Sequence, residues 1–256
     1  MKIKAVFFDV DGTLVSHTKR NVPESTKLVM EKLKEKGIKR VLATGRHMSE
    51  ISMLPIENME FDAYIMLNGQ LCLDSTGNVI LENPITGFDK EYFIKIFNEK
   101  SVPIMFVEKD EMYINFINES VEIAQDAIST PLPDVKNYTG NEIYQVILYA
   151  DEETENRISK NLVGSKITRW NEYALDVISY SGGKESGIKE YLKLNNIKRE
   201  ETMAFGDGEN DIDMLKFVGI GVAMGNAESC VKESADYITN SVDDDGIMEA
   251  FKKFIK

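Results

Sequence analysis

The sequence predicts an α/β protein with a Rossmann-like parallel sheet core and an inserted α+β domain. Three observations carry that prediction. Apolar runs alternate with amphipathic segments from the first residues onward, which is the pattern of strand–helix–strand units. From about residue 83 to 180 the pattern changes to pairs of strands set between helices, the mark of an antiparallel sheet. After "SYSGGK" the simple alternation returns. The chain of 256 residues therefore divides into a core made of residues 1–82 and 181–256 and an inserted domain over 83–180.

The elements follow in order. "IKAVFFDV" is an unbroken apolar run, as in a strand buried on both faces. "VPESTKLVMEKLKEKG" has Pro23 in a first turn, a stripe of Leu28, Val29 and Leu33, and Gly37 as its stop, so it is a helix. "IKRVLATG" and "AYIMLNG" are further strands, and "LCLDSTGNVILENPI" is a hairpin turning at Ser75 to Asn78. In the inserted domain the spacing predicts helices over 88–99, 119–128 and 152–162, with strands over 102–107, 111–117, 143–150, 166–170 and 173–180. The core resumes with the helix "KESGIKEYLKLNNI", the strand "ETMAFGDG", the helix "NDIDMLKFV", the strand "GIGVAMGN", and the helices "AESCVKESA" and "GIMEAFKKFIK".

Composition narrows the function. With 43 acidic against 30 basic residues the net charge is -13, the wrong balance for a general nucleic-acid binder. The longest apolar runs fall short of the ~18 residues of a membrane span, and no cleavable leader is evident, so a cytoplasmic protein without membrane attachment is expected. Cys72 and Cys230 lie in no metal or redox motif and are expected to be reduced, buried thiols. The oligomeric expectation is a monomer or homodimer.

Four stretches carry chemistry. In "AVFFDVDGTLV" a buried strand ends on Asp9 and Asp11; an EF-hand is excluded because a strand precedes the motif and its twelfth position is Arg20, not Glu. In "LATGR" Thr44, Gly45 and Arg46 offer a hydroxyl and backbone N–H groups at a strand end, the donors that hold phosphate oxygens. Lys184 follows two glycines in "GGKESG", at a helix start where a cation is unfavourable unless an anion is near. In "FGDGENDIDML" another apolar strand ends on Asp207, and Asn210, Asp211 and Asp213 follow. Helix capping accounts for Asp213 and can account for Asp211, but not for Asp207. Ligands in such sheets gather at the carboxyl ends of strands, and carboxylates brought together there need a cation; oxygen-only ligands point to Mg²⁺.

Taken together, "DVDGTL", "ATGR", "GGKESG" and "GDGENDIDML" resemble the four ordered motifs of the haloacid dehalogenase superfamily. The inserted domain, "LNGQ" before it and "VAMGNA" after the fourth motif resemble the Cof-type phosphatases with a large α/β (C2B-type) cap. The resemblance implies Mg²⁺-dependent hydrolysis of small phosphorylated metabolites through an aspartyl-phosphate. It implies Asp9 as nucleophile and Asp11 as general acid and base, a role that needs a proton on Asp11 at the first step. It implies Asp9, the backbone carbonyl of Asp11 and Asp207 as Mg²⁺ ligands, with Asp211 a further ligand or an anchor. Val10 N–H, Thr44, Gly45, Lys184 and Asn210 would hold the phosphoryl oxygens. A phosphomutase of similar architecture, such as phosphomannomutase, and a non-catalytic phospholigand-binding regulator are the alternatives.

The inserted domain carries nine Lys/Arg against seventeen Asp/Glu. A polyanionic substrate would call for basic groups there, so a neutral, hydroxyl-rich leaving group such as a sugar is favoured. Asn68, Gly69 and Asp176 are candidates for facing the substrate; Arg46 faces it or pairs with a core carboxylate. His17 and His47 are expected at the surface or a helix start, and Trp170, Tyr144, Tyr149 and Tyr173 in the core.

Overall fold

The computed structural model describes residues 2–56, 59–128 and 130–255. Two compact units divide the chain, Met1–Leu81 with Gly183–Lys256 and Glu82–Gly182. Among the described residues no helix is long and apolar enough to cross a membrane.

The first unit is built on the strand β1 (Ala5–Phe8), whose four residues are all buried. Parallel to it lie β2 (Lys39–Ala43) on one side and β11 (Thr202–Gly206) on the other, with Phe7 opposite Val41 and Ala204. β3 (Ala63–Met66) extends the sheet beyond β2, and β12 (Ile220–Ala223) and β13 (Tyr237–Ile238) extend it beyond β11, all parallel. The hairpin β4 (Leu71–Asp74) and β5 (Val79–Glu82) completes the order β13-β12-β11-β1-β2-β3-β4-β5. Its turn is fixed by Asp74, whose carboxylate accepts from the backbone N–H groups of Thr76 and Asn78.

Helices cover both faces, which is why the central strands read as unbroken apolar runs. Ala5 and Phe7 point into a cluster with Ile188, Tyr191 and Leu192 of α6 (Lys184–Asn195) and Met214 and Leu215 of α7 (Ile212–Phe217). On the other face α1 (Glu24–Glu35) buries Val29, Met30 and Leu33 and packs on β2 and on α9 (Gly246–Phe254). Phe8 and Phe205 stack with ring centroids 5.4 Å apart. Two short helices complete the unit, α2 (Met48–Ile51) directly after "ATGR", which the sequence pattern does not announce, and α8 (Ser229–Lys232).

The second unit holds an antiparallel sheet in the order β7-β6-β8-β10-β9. Its strands are β6 (Ile104–Val107), β7 (Met112–Ile114), β8 (Gln145–Tyr149), β9 (Ser165–Asn171) and β10 (Ala174–Ser179). Alternation along the strands separates two faces. Val146, Leu148, Leu175 and Val177 pack with residues of α3 (Gly87–Glu99) and α5 (Glu152–Ser159). Tyr149 and Ala174 pack on the opposite face with Val121 and Ala124 of α4 (Glu119–Ala127).

Two expectations of burial are corrected. Cys72 is buried and its thiol is pushed up to about 12 by that burial, but Cys230 is exposed because the short helix α8 lies at the surface. Tyr144 and Tyr149 are buried and Tyr173 half-buried, whereas Trp170 is exposed; its indole N–H donates to Asp176 Oδ1 at 2.9 Å instead of entering the core.

Candidate active site

Parallel strands that start in step end in step, and the first unit uses this. β1, β2, β3 and β11 are adjacent and parallel, so Asp9, Thr44, Leu67–Gly69 and Asp207 all follow directly on carboxyl ends along one edge of the sheet. Asp9 N–H donates to Phe205 O at 3.0 Å, continuing the β1–β11 ladder one residue past the strand.

Beyond Asp9 the chain curls, with the Val10 carbonyl accepting from the N–H groups of Leu14 and Val15. Gly12 lies at the turn with φ 77°, and a Cβ there would stand 2.1 Å from Asp207 Oδ2. Only glycine gives both the left-handed backbone and the close approach.

Lys184 begins α6 and is fully buried. Its ammonium donates to Asp9 Oδ1 and to Asp211 Oδ1, each at 2.6 Å. These two carboxylates are the anions that an amino group at a helix start requires. Burial would pull the ammonium down, but the charges of Asp211 and Asp9 outweigh it and raise it on balance.

Asp211 reaches back across its own turn. Its Oδ2 accepts from the N–H groups of Asp207 and Gly208, both at 2.9 Å. With Oδ1 on Lys184 and Oδ2 on two backbone donors, Asp211 holds the Asp207 loop in shape. Asp207 in turn accepts from the Thr13 hydroxyl at Oδ1, 2.8 Å, and from the Asn226 amide at Oδ2, 3.1 Å.

The side chain of Asp11 is turned to Arg46, whose Nε and Nη2 donate to its two oxygens at 2.7 and 2.9 Å. Arg46 thus pairs with a core carboxylate, one of the two alternatives the sequence left open. Glu50 Oε1 stands 3.7 Å from Arg46 Nη1, and its Oε2 accepts the N–H of His47, the buried residue that caps α2. His17 is exposed.

Thr44 is buried, and its hydroxyl accepts the N–H of Arg46 at 3.1 Å. Asn68 is held in the left-handed region with φ 53°. Its carbonyl accepts Gly183 N–H at 2.9 Å and its Oδ1 accepts Asn210 Nδ2 at 3.0 Å. Gly69 fits against Gly183, whose carbonyl oxygen would lie 2.0 Å from any Cβ. Asn68 and Gly69 therefore join the third strand to the Lys184 and Asn210 loops. Asp176 belongs to the second unit, on the sheet face shared with Ala174, where it accepts from Trp170.

The electrostatics of the first unit's cluster are one-sided. Carboxylate oxygens of Asp9, Asp207 and Asp211 can be chosen within 4.8 Å of one another, and Asp9 and Asp211 are buried. Burial, then the charge of Asp211, raises the Asp9 carboxyl well above its ordinary range, with Lys184 opposing. Asp207 is pushed up to about 6 by burial and then by Asp211, against the pull of the Thr13 hydroxyl. One ammonium among three carboxylates leaves the cluster negative. Its hard oxygen donors fit a small divalent cation such as Mg²⁺.

Buried and half-buried carboxylates at the carboxyl edge of a parallel sheet, with a buried lysine beside them, define an α/β protein whose site can hold a cation against an anionic group. The sequence model of the haloacid dehalogenase-like hydrolases matches residues 6–251. The Bacillus subtilis strain 168 protein YkrA is 35% identical over 257 residues, which cover 99% of this chain and 98% of YkrA. BT1666 from Bacteroides thetaiotaomicron, a phosphatase of this superfamily, superposes with a TM-score of 0.91 at 34% identity, covering 99% of this chain and 95% of that one. The subclass IIB sugar phosphatase BT4131 superposes with a TM-score of 0.86 at 36% identity, covering 98% of each chain. The chain belongs to the haloacid dehalogenase superfamily, in its Cof-type subclass IIB, and is a phosphatase.

Thr13, Glu50 and Asn226 enter the site without having been singled out from the sequence. Thr13 and Asn226 stand in the quoted stretches "DVDGTL" and "VAMGNA", but no spacing says which carboxylate they reach.

Proposed function

We propose that this phosphatase removes phosphate from small phosphorylated metabolites with hydroxyl-rich leaving groups, such as sugar phosphates, through an aspartyl-phosphate on Asp9. The observation that carries the proposal is the buried cluster of Asp9, Lys184, Asp207 and Asp211 at the sheet edge. The sugar phosphatase BT4131 is similar over nearly the whole chain, and the acidic balance of the inserted unit favours an uncharged leaving group.

Asp9, the Asp11 carbonyl and Asp207 would hold Mg²⁺, which when bound neutralises charge between nucleophile and phosphate. Asp9 attacks phosphorus in line while the bond to the leaving oxygen breaks. Asp11 gives that oxygen its proton, then takes a proton from the water that opens the acyl-phosphate and releases phosphate. For the first transfer Arg46 must give up one Asp11 oxygen, and Glu50 is the carboxylate beside it that can receive the guanidinium. Lys184, Thr44 and the N–H groups of Val10 and Gly45 bind phosphoryl oxygens with Asn210. Asp211 serves as the anchor of the Asp207 loop.

The test is phosphate release over a panel of sugar phosphates, nucleotides and phosphorylated cofactors, with Mg²⁺ and with EDTA. Turnover is expected on a subset of sugar phosphates, to need Mg²⁺ but no bisphosphate activator, and to fall by at least about three orders of magnitude in Asp9→Asn. EDTA-insensitive release, or near-normal turnover by Asp9→Asn, would overturn it; dependence on a bisphosphate would turn the reading to a phosphomutase.

A further inference from the structure

"VAMGNA" lies outside the four motifs, yet its asparagine is wired to two of them. The Asn226 amide nitrogen has two N–H donors, and both are used. One goes to the carbonyl of Gly12 at 2.9 Å and one to Asp207 Oδ2 at 3.1 Å. The amide oxygen accepts the N–H of Val242 at 2.9 Å, which fixes which end of the amide is nitrogen. Asn226 is nonetheless an exposed residue, and Met224 N–H and Ala227 N–H hold its own segment independently, on Gly206 O and Met224 O.

Gly12 is the residue after Asp11. The peptide that Asn226 grips therefore follows directly on the carbonyl assigned to the cation, and the carboxylate it grips is that of Asp207, the ligand from the opposite strand. One side chain thus bridges the segments that carry two ligands from β1 and β11, 196 positions apart in the chain. Thr13, whose own nitrogen closes the Gly12 peptide, holds the other Asp207 oxygen, so the hydroxyl and the Asn226 amide tie the same turn to the two oxygens of one carboxylate, and Asn226 alone of the two side chains bonds the Gly12 carbonyl oxygen.

The geometry points to Asn226 as a positioning residue for the divalent cation: it sets the distance between the Asp11–Gly12 backbone and Asp207 so that both ligands meet one ion. The inference rests on the reading of Asp207 and the Asp11 carbonyl as ligands. Groups that orient metal ligands from outside typically change metal affinity by about 10–100-fold when removed.

The test is Mg²⁺ binding by isothermal titration calorimetry without substrate, on the full chain, for wild type, Asn226→Ala, Asn226→Ser and Asp207→Asn, with thermal midpoints taken in EDTA. Asn226→Ala is expected to weaken Mg²⁺ by about tenfold or more, while its midpoint in EDTA stays near wild type. Asn226→Ser, which can donate to one of the two acceptors, should fall between. Asp207→Asn should lose measurable binding. If Asp207→Asn loses Mg²⁺ but both Asn226 variants bind it as wild type does, the assignment of Asn226 is overturned and the metal reading stands. If Asp207→Asn binds Mg²⁺ normally, the metal reading itself falls, and this inference with it. Should Asn226→Ala fail to fold, wild-type affinity in Asn226→Ser suffices to overturn the assignment.

Discussion

Replacing Lys184 with methionine tests the electrostatics of the site directly. Methionine keeps an unbranched stem of similar length, so packing changes little and the ammonium is the main loss. That ammonium is fully buried and donates at 2.6 Å to each of two buried carboxylates. Removing one partner of such a buried pair costs about 3–5 kcal/mol, because the charge left behind has no compensation. In a chain of this size each kcal/mol shifts the midpoint by about 2–4 °C, so a fall of roughly 6–20 °C is expected. The sign with pH follows from Asp9. Its folded-state carboxyl already lies well above the unfolded value through burial and the charge of Asp211, and loss of the lysine raises it further. Between the unfolded and folded values the folded form holds a proton that the unfolded form has released, so stability falls as pH rises through that window. The gap between variant and wild type should be widest near pH 7 and narrow toward pH 4. Saturating Mg²⁺ should restore part of it, since the bound ion supplies positive charge to the same carboxylates. Urea unfolding followed by circular dichroism at pH 7 and pH 5, with and without Mg²⁺, measures this. A variant within about 1 kcal/mol of wild type at pH 7, well below the 3–5 kcal/mol expected for a broken buried pair, or a gap that widens as pH falls, would refute the reasoning.

Three further outcomes are expected. Asp207, pushed up to about 6, and Asp9, raised well above its ordinary range, must both lose their protons to bind the cation, so Mg²⁺ affinity should fall as pH drops from about 7 toward 5, with proton release visible in calorimetry in buffers of different ionisation heat; a flat profile would remove these carboxylates from the ligand set. Asp11→Asn should slow hydrolysis of alkyl phosphates more than that of p-nitrophenyl phosphate, whose leaving group needs less protonation, and equal losses would contradict the acid role. Gly12→Ala puts a Cβ on a residue with φ 77° and within 2.1 Å of Asp207 Oδ2, so beyond a backbone cost of about 1 kcal/mol it should displace that carboxylate and weaken Mg²⁺ binding; retained affinity would show that Asp207 adjusts freely.

Much of this architecture is legible in the amino-acid sequence alone. Buried parallel strands need apolar residues on both faces, and that requirement writes β1, β2, β3 and β11 into the chain as largely apolar runs that lead into Asp9, Thr44, Asn68 and Asp207. The strand pairs of the second unit and the Ser75–Asn78 turn were visible for the same local reason, a period of two broken by turn residues. The sequence therefore determined the fold class and the family, because each depends on patterns a few residues long repeated in order. What it left open depends on which distant groups meet. Arg46 could face a substrate or a carboxylate, and only the approach of the β1 and β2 ends placed it on Asp11. Asp211 could be a further ligand or an anchor, and no spacing says that its oxygens meet Lys184 and the Asp207–Gly208 backbone. Trp170 read as core and is a surface partner of Asp176, since burial of a strand residue depends on what covers its face. Asn226 reaches Gly12 and Asp207 across 214 and 19 positions. Such pairings are set by the order of strands in the sheet, which brings loops from remote parts of the chain to one edge. Local sequence determines the loops, and the tertiary structure alone decides which of their side chains touch.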